Sequence, residues 1–307
     1  MLHIAQKKNT KPLIIAVVGP TSSGKSDIAV LLAKKFGGEV ISADSRQVYR
    51  GLNIGTGKIT KKEMLGVPHH LLDVASPASR FTASMYQKKA SRVAEQIIKR
   101  GRIPIVCGGT GFYIDAFLKG ISLPEVAPNR ALRRALEKKS VQELFEILRA
   151  LDPRRAKNID RKNPRRLVRA IEIATALGHV PPIKHTPVVL APILTIGIVI
   201  TDKQLKKNIH VRLLKRIKSG MVSEAKQLHK NGLSWKRFDE LGLEYRFLAR
   251  YLQKKITKQE MLTQLETAIN QYAKRQKQWF KRDTSIILVK SAKEALLEVW
   301  KHLPVDF

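Results

Sequence analysis

The sequence predicts an α/β fold in which a parallel sheet carries helices on both faces and an all-helical insertion interrupts the core. Three observations predict it. Short apolar runs of strand length alternate with helical patterns, a glycine-rich turn follows the first run, and one long mid-chain segment contains no strand-like run.

The first apolar run is Leu13 to Val18. It leads straight into Gly19-Pro20-Thr21-Ser22-Ser23-Gly24-Lys25-Ser26, a complete P-loop in its expected setting, so the sheet is P-loop NTPase-like. The glycines let backbone N–H groups converge on phosphate oxygens, and the following helix points its positive end at the same place. Lys25 can reach the outer phosphate, and the Ser26 hydroxyl can hold Mg²⁺. An amphipathic helix (Ile28, Leu31, Leu32, Phe36) completes the unit. The motif binds a di- or triphosphate and ignores what is attached to it.

The remaining buried strands read as Val40 to Ser42, Ile103 to Cys107, Ile193 to Ile200 and Ile286 to Val289. Helical patterns fill most of the gaps, at about 26–36, 82–100, 112–118, 204–229 and 259–282. Asp44 follows the second strand, at the carboxyl end where a parallel sheet forms its ligand crevice. Three roles are comparable there: a Mg²⁺ ligand, a general base, or a helix cap made with Ser45. Gly108-Gly109-Thr110-Gly111 opens at the same crevice. Its plainer reading is a tight turn with Thr110 capping the helix from Phe112. His69-His70 makes a poor metal pair, since adjacent residues share no face, and reads as a hydrogen-bonding element.

From Pro124 to about Val189 the pattern is helical throughout, bounded by Leu123-Pro124 and by Pro181, Pro182 and Pro187. The expected division is therefore a discontinuous core, 1–123 and 190–307, and an insertion, 124–189. Between Arg130 and Arg169 there are fourteen Arg or Lys against five acidic residues, too few acids for ordinary i,i+4 pairing. Arg166 and Arg169 share a helical face. Near the C-terminus, Trp279 and Phe280 read as packing residues, with Lys274, Arg275, Lys281 and Arg282 offered to a polyanion.

Over the whole chain of 307 residues, 58 Lys and Arg face 25 Asp and Glu, a net charge of +33. That imbalance argues for a polyanionic partner, nucleic acid before an acidic membrane surface. The longest apolar runs are strand-length, which argues against a transmembrane helix. Met1 to Lys11 has no apolar core of a secretory signal, so a soluble cytoplasmic protein is expected. The lone Cys107 excludes an intramolecular disulfide and a Cys-rich zinc site, and reads as a buried thiol.

Taken together, these motifs resemble the tRNA dimethylallyltransferases. The likeness rests on the P-loop form, on Ile41-Ser-Ala-Asp44-Ser-Arg-Gln47-Val-Tyr49-Arg-Gly51-Leu-Asn-Ile-Gly-Thr56 and on Pro68-His-His-Leu-Leu-Asp73. It rests further on Gly108-Gly-Thr110-Gly-Phe-Tyr113, Arg166-Leu-Val-Arg169-Ala-Ile-Glu172 and Ala273-Lys-Arg-Gln276-Lys-Gln-Trp279-Phe280. The motifs fall in family order along nearly the whole chain.

The resemblance implies transfer of a dimethylallyl group from dimethylallyl diphosphate to the exocyclic amine of the adenosine 3′ to a tRNA anticodon. It implies Asp44 as general base, Thr110 beside the reacting groups, and the diphosphate on Gly19 to Ser26 with Lys25 and Arg212 as cations and Mg²⁺ as cofactor. Asp44, Ser45, Arg46, Gln47, Thr110, Arg133, Arg165, Arg166, Leu167, Val168 and Arg169 would face tRNA, the insertion gripping the anticodon stem-loop. No obligate protein partner is implied, and a monomer is expected. The chain departs from the family pattern at Asn208, Gly242-Leu243-Glu244-Tyr245 and Gln278. The rival readings are an adenosine-phosphate isopentenyltransferase acting on free nucleotide, a P-loop kinase or RNA-stimulated NTPase, and a non-catalytic RNA-binding module. The first needs neither the charge nor the insertion, and the last leaves the P-loop and Asp44 without purpose.

Overall fold

The computed structural model describes residues 13–186, 189 and 191–303. The N-terminal segment Met1 to Lys11 and Pro187 lie outside the described residues. The chain divides into two compact units, Ile121–Thr186 and the remainder.

The larger unit is built on a six-stranded parallel sheet. Its strands are β1 (Ile14–Val18), β2 (Gly38–Ser42), β3 (His69–His70), β4 (Ile103–Gly108), β5 (Ile193–Ile198) and β6 (Ile287–Val289). Their order is β3-β2-β4-β1-β5-β6. Strand side chains alternate between the two faces. Ile14, Ala16 and Val18 enter one apolar cluster with Tyr86, Ile97 and Phe117; Ile15 and Val17 enter the other with Leu32 and Phe36. Every residue of β1 is buried, as a central parallel strand covered on both faces requires. The covering helices of this part are α1 (Lys25–Phe36), the short α2 (Lys61–Met64), α3 (Ala83–Lys99) and α4 (Gly111–Leu118).

The register decides where chemistry can occur. Val18 pairs with Gly108, and Ser42 pairs with Cys107, so the carboxyl ends of β1, β4 and β2 finish side by side. The P-loop, Asp44 and Thr110 therefore leave the sheet at one edge from three adjacent strands.

The smaller unit holds α5 (Arg130–Leu136), α6 (Val141–Leu151), α7 (Pro153–Lys157) and α8 (Pro164–Leu177). They close over Leu136, Leu144, Leu148, Leu167 and Ile171. This unit begins and ends slightly earlier than the 124–189 drawn from sequence. An antiparallel bridge between Ile121 and His185 and a hydrogen bond from the Ser122 amide to the Lys184 carbonyl tie its two ends. It is not helical throughout. Gly178, at φ 78°, ends α8 in the left-handed conformation, and Pro181 and Pro182 keep the following stretch from resuming a helix.

After β5 come α9 (Asp202–Lys218), α10 (Met221–Lys230), α11 (Trp235–Leu241), α12 (Leu243–Leu252), α13 (Lys258–Phe280) and, following β6, α14 (Ala292–His302). The expected single helix over 204–229 is two, because Gly220 at φ 99° turns the chain between α9 and α10. No helix among the described residues is long and apolar enough to cross a membrane.

Candidate active site

The P-loop hangs from the end of β1 as an open cradle. Gly24, at φ 86°, precedes α1 and provides no side-chain cap, so the first N–H groups of that helix are left for an anion. The buried hydroxyl of Ser23 has no hydrogen-bond partner among the described residues. A buried polar atom left unpaired inside a phosphate loop is a place for a ligand oxygen. The loop is held from outside by two side chains. Gln276 on α13 accepts from the Thr21 amide at 2.8 Å, and Asn208 on α9 donates to the Ser22 carbonyl at 3.1 Å. Asn208, one of the departures from the family pattern, thus has a structural task.

Lys25 opens α1, with its ammonium donating to the Pro20 carbonyl at 3.1 Å. Burial holds it below the ordinary lysine range; Arg212 adds to that shift, while Cys107 and Asp44 work against it. Burial and the neighbouring charge of Arg216 also act against the charge of Arg212, and Asp44 again acts the other way. Lys25, Arg212 and Asp44 therefore share one electrostatic neighbourhood. A diphosphate placed there would meet two cations that the protein alone leaves poorly solvated.

Asp44 does not cap a helix. Its Oδ1 accepts from the amides of Arg46 at 2.8 Å and Gln47 at 3.3 Å, an Asx-type turn that fixes the carboxylate. Its Oδ2 has no hydrogen bond among the described residues. Thr110 stands just before α4, at the cap position, yet its hydroxyl makes no cap there. It accepts instead from the Ser45 amide at 3.0 Å, and the Thr110 amide donates to the Ala43 carbonyl at 3.2 Å. The turns after β2 and β4 are thereby stitched together. Gly108 permits the contact: any β-carbon there would run into the Ala43 carbonyl.

Three contributors went unnoticed in the sequence as parts of this site. Tyr272 on α13 lies against Thr110, its hydroxyl pushed up to about 12 by burial first and by the charge of Asp44 second. Gln276 accepts from Thr21 and also donates to the Gly109 carbonyl at 2.8 Å, so one buried amide joins both loops. Glu224 on α10 holds the segment after Asp44. Gln276 stands in one of the family motifs and Tyr272 immediately before it, but neither position signalled a part in this site; for Glu224 there was no signal at all.

Several expectations on noncatalytic residues now have a place. Trp279 packs over Gly111 and donates to Asp115 at 2.9 Å. His70 meets the buried Glu39 at 2.6 Å, and His69 meets the Val67 carbonyl at 2.9 Å. The Cys107 thiol is buried and pushed up to about 11 by that burial. The Ser26 hydroxyl lies beside it and is exposed. Among the described residues no three His, Cys, Asp or Glu side chains gather into a metal cluster. The donors present fit a magnesium ion bound chiefly through diphosphate oxygens and water, with Ser26 as the protein's hydroxyl.

In the smaller unit the basic residues fall into two groups. Glu172, 1 % exposed, accepts from Arg133 through Nε at 2.8 Å and Nη2 at 2.6 Å, from Arg169, and from the Asn129 amide at 2.7 Å. Burial works to raise its pKa, but the two guanidiniums hold the carboxyl below the usual range. Arg165 and Arg166 are exposed, Arg166 having only a 3.7 Å approach to Asp160. Leu167 is wholly buried and Val168 partly so, which leaves their side chains little surface for any ligand.

A family model described as IPP transferase matches residues 47–283. The chain is 40 % identical to the tRNA dimethylallyltransferase 1 of Geotalea uraniireducens over 269 residues, 88 % of each chain. It is 41 % identical to the tRNA dimethylallyltransferase 2 of Treponema denticola over 285 residues, 92 % of this chain and 94 % of that one. The crystal structure of the full-length tRNA isopentenylpyrophosphate transferase of Bacillus halodurans superposes with a TM-score of 0.71 at 33 % identity, covering 95 % of both chains. A eukaryotic dimethylallyltransferase acting on tRNA shares the fold, with a TM-score of 0.76 at 24 % identity over 96 % of this chain and 77 % of that one. A parallel P-loop core, a fixed carboxylate beside two partly buried cations, and these likenesses agree: the chain belongs to the IPP transferase family.

Proposed function

We propose that this protein transfers a dimethylallyl group from dimethylallyl diphosphate to the exocyclic amine of the adenosine 3′ of the anticodon in tRNA, releasing pyrophosphate. The observation that carries the reading is the pairing of an open P-loop with Asp44, whose carboxylate is pinned through one oxygen beyond the end of β2, with only β4 between β2 and the P-loop strand β1. A phosphate cradle beside a fixed base suits a reaction in which a diphosphate leaves as a nucleophile loses a proton.

The allylic C–O bond breaks and its electron pair leaves with the diphosphate. Lys25, Arg212 and the first amides of α1 stabilise that developing charge. Magnesium, held at Ser26, would supply further neutralisation of the diphosphate. The adenine amine forms the new C–N bond, and its surplus proton passes to Asp44. Thr110 and Tyr272 border the space beside Asp44, where the flipped base would enter. Loop nucleotides are cheaper to extrude than paired ones, which suits an anticodon-loop acceptor. The smaller unit, with Arg165 and Arg166 exposed, is assigned to the RNA backbone.

The test incubates the protein with purified tRNA and labelled dimethylallyl diphosphate, then digests the RNA and identifies the labelled nucleoside. Label on a dimethylallylated adenosine supports the reading. ATP turnover with phosphate release, and no labelled nucleoside, would favour the NTPase reading instead.

A further inference from the structure

The segment Leu52–Lys58, between β2 and α2, forms no helix or strand, yet its backbone is used on both sides. Glu224 accepts from three successive amides: Asn53 at 2.9 Å and Ile54 at 2.7 Å on Oε2, Gly55 at 2.8 Å on Oε1. The Tyr245 hydroxyl donates to the same Oε1 at 2.7 Å. The segment's carbonyls face arginines. Ile54 accepts from Arg216 Nε at 2.7 Å, and Gly57 accepts from Arg212 Nη2 at 2.9 Å. Gln47 reaches the same Gly57 carbonyl at 3.4 Å.

The two glycines follow from this crowding. A β-carbon on Gly55 would collide with the Tyr245 hydroxyl, and one on Gly57 with the Arg212 guanidinium. Gly57 also sits at φ 59°, which favours glycine in its own right. Arg212 and Arg216 lie one turn apart on α9, so the charge of Arg216 opposes that of Arg212, which burial already disfavours. Arg216 finds Glu244 at 3.1 Å. Arg212 has no carboxylate partner within ion-pair distance among the described residues. Its position is set by the Gly57 carbonyl, and the Gly57 carbonyl is set by a backbone that Glu224 grips three residues upstream.

We propose that Glu224 is a positioning residue: through the Asn53–Gly57 backbone it fixes the Arg212 guanidinium for the diphosphate, with the Tyr245 hydroxyl holding the carboxylate in turn. The inference rests on the reading above that Arg212 and the P-loop bind diphosphate. A glutamine at 224 keeps the shape but gives up the charge that gathers four donors, and one of its own N–H groups would face a backbone donor. Small misplacement of a positioning group can cost up to about a hundredfold.

The experiment measures pyrophosphate affinity and tRNA affinity by calorimetry for the unsubstituted protein, Glu224→Gln, Arg212→Gln and the double variant. Glu224→Gln is expected to weaken pyrophosphate binding by roughly ten- to a hundredfold with tRNA affinity unchanged. In the Arg212→Gln background the same change should add less than about twofold, because the guanidinium it positions is gone. Losses that simply multiply, or equal losses for both ligands, would overturn the proposal. Should Glu224→Gln not fold, Tyr245→Phe decides: it removes one hydroxyl and must weaken pyrophosphate alone, and unchanged affinity overturns the proposal. Failure of the unsubstituted protein to bind pyrophosphate would sink the diphosphate reading itself, and this inference with it.

Discussion

The two groups of arginines in the smaller unit should separate cleanly under substitution. Arg133 donates twice to Glu172, whose side chain is 1 % exposed, and is itself 25 % exposed. Breaking a buried pair by removing one partner costs about 3–5 kcal/mol. Arg169 and the Asn129 amide remain on Glu172, and Arg133 reaches solvent, so about 2–3 kcal/mol is the reasonable loss for Arg133→Gln. For a unit of this size that is a fall of on the order of 10–20 °C in its melting transition. Arg165→Gln with Arg166→Gln should leave melting unchanged, since exposed charges are worth little. It should reduce the log–log salt slope of tRNA binding by roughly 1.5 units, as two phosphate contacts would. The Glu172 carboxyl adds a pH signature. Its folded pKa lies below the ordinary 4.5, so its stabilisation is present above that value and is lost as pH falls below it. Circular-dichroism melts and filter binding across salt check both halves. If Arg133→Gln melted normally and flattened the salt slope, while the Arg165 and Arg166 pair did neither, the assignment would be reversed.

Lys25→Ala should lower turnover by about two to three orders of magnitude in a protein that still folds and binds tRNA, because its charge is needed where pyrophosphate develops; near-normal transfer would remove the P-loop from the mechanism. Asp44→Asn keeps the Asx turn's acceptor and should cost roughly a hundred- to ten-thousandfold in single-turnover rate, with little change in either substrate's affinity. Recovery of that rate with excess Mg²⁺ would make Asp44 a metal-site residue instead. Cys107, with its thiol pushed up to about 11 against an ordinary 9.0, should react with iodoacetamide roughly a hundredfold more slowly than a free thiol at neutral pH, as followed by mass spectrometry; rapid labelling of folded protein would contradict its burial.

The parallel sheet was legible because its central strands are short apolar runs with no helical alternative, and the P-loop because its motif is local. Helices α11 and α12 escaped notice. Gly242 breaks the apolar spacing between Phe238 and Leu241 on one side and Tyr245 and Leu248 on the other, so neither stretch reached helical length alone. The role of Glu224 was invisible for a different reason: it acts on an amide 169 positions away, and no spacing rule reaches that far. The Glu172 cluster did leave a trace. Glu172 stands among Leu167, Ala170 and Ile171 on the buried face of α8, where a carboxylate needs partners, and Arg169 is three residues before it. That trace argues for reading the basic face of α8 as partly internal. Charge alone misled here, since fifteen basic and seven acidic residues between Ile121 and Thr186 leave only +8 of the chain's +33 in this unit.

Part of the remaining charge lies on and just beyond α13. One side of this helix buries Ala273 and Gln276, and Gln276 joins the P-loop at Thr21 to the Thr110 loop at Gly109. Trp279, one turn on, seats against Gly111. The opposite side exposes Lys274 and Arg275, with Lys281 and Arg282 just beyond the helix. Arg275 lies over the ring of Tyr272, whose hydroxyl borders Asp44 and Thr110. A rigid helix so placed ties three things together: the P-loop, the Thr110 loop beside Asp44, and a cationic outer face. On the proposed function, RNA held on that face would be held by the same element that spaces the P-loop and the Thr110 loop, so acceptor and donor would be located from a single frame. That is a structural reason for basic and aromatic residues to interleave in this run, and it does not require the aromatics to stack on bases.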